Sequence, residues 1–152
     1  MDYLAHLATA VLVWLTAGFL PIPWRALLRA LALLHAACLG ISALMPIFPY
    51  AVDDHTRALS ALTLLMLTAL PLVMAAMHYI IERSHERRLL ATLMIAAWLV
   101  FSLPLKLLAH ALLIQTLSPL IMPLLFIAGG PALDILVVTA LYAWAVSWRH
   151  GP

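Results

Sequence analysis

Ser102, Lys106 and His110 recur every four positions inside an otherwise apolar run. On a helix that spacing aligns them in one stripe. A lysine at the centre of a spanning helix costs about 2.5–3.5 kcal/mol on insertion scales, so the stripe should face a bundle interior or a water interface rather than lipid. Lys106 is the only lysine of the chain, and Asp134 is the acid that matches it. Together with His110 and Ser102 they are the binding candidates, able to line a polar path for an ion or small polar solute. A simpler reading competes. Counting from Arg88 at about 1.5 Å per residue puts Lys106 near the far interface of a bilayer core about 30 Å thick, where its ammonium can snorkel and anchor the helix. Asp134 would then complement the dipole of a helix opened by Pro131.

The histidines raise haem and metal chemistry. A bis-histidine haem needs two imidazoles at matched depth on facing helices. His6 with His110 is the pair that fits, whereas His35 sits mid-helix and His78 near the other end. Met74 and His78 share a helix face with Met77 beside them, and thioether with imidazole suits copper. Methionine in an apolar helix is more often packing material. His78, Met74, Met77 and His6 are therefore only weak metal candidates, no spacing resembles a zinc site, and the cofactor stays unknown. Ser42, Ser60, Ser102 and Ser147 lack the glycine-flanked elbow of a serine nucleophile. No catalytic residue is expected, and the reading leans against an enzyme.

The elements that must hold these residues follow from composition. Of 152 residues, 66% are hydrophobic and 9% charged. Soluble domains carry about 25% charged residues, so this chain cannot cover itself with water-compatible groups. It reads as an all-α, polytopic membrane bundle, a single membrane domain over 1–152. A net charge of +2 without a basic run excludes a nucleic-acid partner. Cys38, the one cysteine, has no partner for an internal disulfide and behaves as a small hydrophobe.

The pattern predicts spans at about 4–20, 25–46, 57–81, 89–115 and 119–148. Pro21 and Pro23 end the first, and Asp54 or Thr56 should cap the third. Six spans are the alternative, with a stop near Pro104 and a tight turn at Gly129-Gly130-Pro131. Arg25, Arg29, Arg83, Arg87 and Arg88 mark the first and third connections as cytoplasmic, which places the N-terminus outside. Five spans also return Arg149 to the cytoplasmic side, so five are favoured. The two readings differ in a testable way: five spans let Lys106 and Asp134 pair, and six put them on opposite sides.

Phe48-Pro49 after a Gly/Ala-rich span, the Asp53-Asp54-His55 helix start, the span with internal Pro71 and the short basic turn after it resemble a bacterial membrane family of unknown function, the DUF998 group. The likeness covers residues 40–103 and implies no chemistry. The sequence thus supports a small bacterial inner-membrane protein, first as a non-enzymatic accessory or assembly subunit acting by helix–helix contact. Ala36 and Gly40 offer a close-packing face on helix two for other membrane subunits, besides the lipid bilayer. The alternatives are a transporter or channel component with a Lys106/His110/Asp134 path, and a haem or copper subunit.

Overall fold

The computed structural model describes residues 3–45, 51–81 and 84–147, and these are helical with short joints. Helix α1 spans Tyr3–Thr16 and tightens into a 3-10 turn at Ala17–Phe19. Helix α2 spans Ile22–Leu44, α3 Val52–Ile81 and α4 His85–Thr116. The last helix, α5, covers Pro119–Ser147. It opens with a 3-10 turn and one α turn, winds as a π-helix over Leu125–Ala132, and continues as α-helix over Leu133–Ser147. α2, α3, α4 and α5 are each long and apolar enough to cross a membrane, while α1 is shorter. The chain is an all-α helical bundle.

The five-helix reading holds, and the six-helix one does not. α4 runs through Pro104 without a stop. Gly129-Gly130-Pro131 is a break inside one helix rather than a turn between two, with Gly130 at φ −94° and ψ −109°. The turn falls after Thr116, and the Ser118 Oγ accepts from the Leu120 N–H at 3.2 Å to start α5. At 32 residues, α4 is about 48 Å long, more than a bilayer core needs, so it must tilt or protrude.

Several helix starts differ from expectation, each for a local reason. α2 begins at Ile22, because a proline at position 23 sits in the first turn, where its missing N–H leaves nothing unpaired. α3 begins at Val52, so Asp53 and Asp54 lie in its first turn and offset the helix dipole, and neither Asp54 nor Thr56 is a cap. The Thr56 hydroxyl instead donates to the Asp53 carbonyl at 2.9 Å. α4 begins at His85, winding Arg87 and Arg88 into the helix. Expectations placed on Phe48-Pro49, Arg83 and Arg149 lie outside the described residues.

Two hairpins carry the packing. In the first, α1 lies on α2. The Arg25 guanidinium donates to the Leu20 carbonyl at 3.2 Å. Arg29 stacks over the Trp14 ring, 5.1 Å from the centroid, and reaches the Trp14 carbonyl. Cations placed this way satisfy carbonyls freed at the end of α1. In the second hairpin α3 lies on α4, and the later part of α5 packs on α4. The core there joins Leu70 and Met74 of α3, Ala91, Ile95 and Leu99 of α4, and Tyr142 and Ala145 of α5.

Candidate functional site

The buried face of α4 is one unbroken stripe: Ala91, Ile95, Leu99, Ser102, Lys106, His110 and Ile114. Steps of three and four keep a residue on the same side of a helix. The polar trio therefore continues the apolar seam, and the fold buries all three for the same reason it buries Leu99. α3 answers with His55, Leu59, Thr63, Leu70, Met74 and His78, also buried and in register.

Lys106 is 6% exposed and Asp134 is 2% exposed. The Lys106 ammonium donates to Asp134 Oδ2 at 2.6 Å. The Trp98 indole N–H donates to Oδ1 at 3.1 Å, so both carboxylate oxygens are engaged. This corrects the anchor reading of Lys106. Its stem does not carry the charge to an interface, because α5 presents a carboxylate at the same depth. Asp134 gets there through the π stretch before it. The wider π turns of Leu125–Ala132 re-phase the helix so that Asp134 enters its first regular α turn facing α4.

One turn further along the stripe, His110 Nδ1 lies 3.0 Å from His55 Nε2, and one ring donates to the other. His55 is fully buried and Phe126 of α5 meets its ring edge-on, 5.8 Å between centroids. Gly129 of α5 closes the other side of His110. A Cβ at that position would stand 2.5 Å from His110 Nε2. Ser102 is buried one turn from Lys106 on the same stripe, and its hydroxyl has no hydrogen-bond partner among the described residues.

The result is a polar column through the interface of α3, α4 and α5: His55, His110, Lys106, Asp134 and Trp98. Leu70, Met74, Ile95 and Leu99 form an apolar layer below it. Beyond that layer, His78 and the Thr92 hydroxyl lie 3.1 Å apart, and the His78 ring lies against Tyr142, 5.7 Å between centroids. Chemically, the column can hold and exchange charge without releasing it to lipid, because a carboxylate, an ammonium and two imidazoles sit within one or two turns of each other.

The metal and haem candidates are not brought together. His6 faces His35, with Nδ1 and Nε2 at 3.4 Å, while His110 faces His55, so the expected His6–His110 pairing does not form. The His6–His35 pair borders a cavity of about 380 Å³ between the first hairpin and the start of α5. Met74 belongs to the apolar core, Met77 lies at its edge, and His78 turns to Thr92. Among the described residues, no three His, Cys, Asp or Glu side chains converge on one point.

Sequence reasoning missed three members of the site. His55 was taken as part of a helix start, yet its four-residue step to Leu59 and Thr63 marks it as a core position. Trp98 stands out by neither charge nor spacing, and its partner lies 36 residues away. Gly129 enters the sequence reading only within the tight turn of the six-span alternative, and its contact with His110 carries no sequence signal. Comparison with known proteins adds nothing to this description: no family, no curated protein and no solved structure matches the chain.

Proposed function

We propose that this chain is a small multi-spanning protein of a bacterial inner membrane, N-terminus outside, that moves or relays a proton or small ion through the Lys106–Asp134 centre. The carrying observation is the buried ion pair at 2.6 Å. An ion pair inside a span is expensive to insert, so its default reading is functional. His110 and His55 extend the polar column toward the Asp53-Asp54 end, and the apolar layer of Leu70, Met74, Ile95 and Leu99 serves as the closed gate. Charge moves when the pair opens and the layer parts. The DUF998 likeness over 40–103 fits this setting and supplies no mechanism.

The test is flux across a sealed membrane. In proteoliposomes with a trapped pH dye and a clamped potential, the wild-type chain should raise proton movement several-fold above protein-free vesicles. Lys106→Met and Asp134→Asn should each return it to background at unchanged insertion. Flux that survives both substitutions overturns the proposal.

A second reading, an accessory subunit, has its own observation. Gly40 is exposed and a Cβ there would meet nothing within 4 Å, so the small face of α2 is left open by this chain. Close helix approach uses such faces. Gly40→Leu should then abolish cross-linking of α2 to a membrane partner, or to a second copy, without changing thermal stability. Unchanged cross-linking would sink that reading.

A further inference from the structure

The first hairpin carries charges that the ion-pair centre does not use. Arg25 and Arg29 lie one turn apart on α2, and both reach back onto the end of α1. Arg25 gives Nε and one Nη2 hydrogen to the Leu20 carbonyl. Arg29 gives Nε to the Trp14 carbonyl at 3.4 Å, with its guanidinium over the Trp14 ring. The Nη2 of Arg29 lies beside Gly18, where a Cβ would stand 3.4 Å away, so both forks gather at the joint between α1 and α2. A guanidinium carries five donors in a fixed plane, and Nη hydrogens remain free on each. Among the described residues no carboxylate forms an ion pair with either arginine. α2 has no acid in its first turn, so the positive end of its dipole adds to the two charges. Arg29 stands about 10 Å along a helix long enough to cross a membrane. An uncompensated guanidinium at that depth is costly.

Beside these cations runs a groove of about 240 Å³ between α1 and α2. Short side chains on both helices open it: Ala10 on α1, and Ala32 and Ala36 on α2. Ala10 and Ala32 are buried and form its floor, while Val11 and Leu33 are exposed at its rims. Trp14 belongs to both parts, because its ring lines the groove and carries the Arg29 guanidinium. An apolar groove alone would take any acyl chain, or a helix of another subunit. The arginines at the Trp14 end decide between these, because what they lack is an anion.

We propose that this hairpin binds one anionic phospholipid. Its phosphate accepts from the free Nη donors of Arg25 and Arg29, in the charge-assisted planar geometry that guanidinium and phosphate share. One acyl chain lies along the groove over Ala10, Ala32 and Ala36. The Trp14 ring and the Leu20 and Trp14 carbonyls hold both guanidinium groups in place before the lipid arrives, so little side-chain freedom is lost on binding. The site stands apart from the Lys106–Asp134 centre and shares only the membrane setting with its functional reading.

The test is native mass spectrometry of the full chain in a neutral detergent, titrated with phosphatidylglycerol or phosphatidylcholine of the same dioleoyl chains. Phosphatidylglycerol should saturate at one per chain and bind at least about tenfold more tightly than phosphatidylcholine, as two interfacial arginines allow. Arg25→Gln combined with Arg29→Gln should make the two lipids bind alike. Arg25→Gln alone removes one charge and only an exposed contact with Leu20, so it should lower the preference even if the double variant fails to fold. Arg57→Gln, at an exposed arginine of α3, should leave the preference unchanged. Val11→Trp crowds the groove rim without touching an arginine and should weaken both lipids by a similar factor. Millimolar inorganic phosphate should not displace the lipid. Equal binding of the two lipids by the wild-type chain, or the same loss of preference in Arg57→Gln as in Arg25→Gln, reduces the arginines to interfacial anchors and overturns the proposal. Displacement by phosphate, or lipid binding untouched by Val11→Trp, overturns it in favour of a site for a free anion. Proton flux through Lys106–Asp134 should be the same in Arg25→Gln as in wild type, so either reading can fail without the other.

Discussion

Lys106→Met and Asp134→Leu, introduced singly, should each destabilise the bundle by about 3–5 kcal/mol, and the two together should recover most of that loss. The physical reason is asymmetric desolvation. Each partner is almost fully buried, and each neutralises the other at 2.6 Å. Removing one leaves a charge in an apolar seam with no water to receive it. Removing both leaves two apolar side chains of similar bulk between Leu99, Ile114 and the facing helices, which the seam can pack. Reversible unfolding in mixed micelles, read as a double-mutant cycle, gives the coupling energy. Independent, additive effects would show that the two side chains do not meet. The double variant also separates stability from activity. It should fold about as well as wild type and still carry no flux, because nothing charged remains at the centre.

Gly129→Ala should cost about 2–4 kcal/mol, a large effect for one methyl group. The new Cβ would stand 2.5 Å from His110 Nε2 and 3.3 Å from Cε1, well inside contact distance. The His110 ring has little room to yield, because its other nitrogen faces His55 at 3.0 Å and the His55 ring is itself held edge-on by Phe126. Either the His–His hydrogen bond breaks or α5 moves off α4. Gly130→Ala should be milder, since its Cβ would meet the flexible tip of Leu59 at 2.9 Å. The diagnostic is suppression: in a His110→Ala background, Gly129→Ala should cost only a few tenths of a kcal/mol, because the atom it strikes is gone. The same cost in both backgrounds would place the fault in the backbone of α5, and the contact with His110 would not be its cause. Thermal melts of the four variants in detergent decide it.

Much of the fold was legible because its signal is local. Apolar runs of spanning length, with prolines and charges between them, mark four of the five helices almost wherever the pattern is read. The starts of α2, α3 and α4 were less legible. Asp53, Asp54, Arg87 and Arg88 look like loop residues by polarity, yet polar residues are at home in the exposed first turn of a long helix. Charge placement separated five helices from six, and the Lys106–Asp134 contact agrees with that choice.

The site was half legible. Ser102, Lys106, His110 and Asp134 stand out because polar residues are costly in apolar runs, and that cost is a property of the residue alone. Their mutual arrangement is not. Whether Lys106 snorkels or pairs depends on what faces it across the bundle, and that depends on how the π turns of Leu125–Ala132 rotate α5. The histidines show the same division. Residue type gave the possibility of pairing, and the packing of α3 on α4 chose His55 for His110, while α1 on α2 chose His35 for His6.

The sequence by itself therefore determined the class of structure and the short set of charges that topology does not explain, and it favoured five helices over six, since each follows from transfer energies, charge placement and periodicity along the chain. The tertiary structure alone decided that Lys106 and Asp134 form one centre and that Trp98 and His55 belong to it. Those facts turn on helix rotation and splay. Both are set by contacts between residues far apart along the chain, such as His55 with Phe126 and Leu59 with Gly130, and no local pattern encodes them.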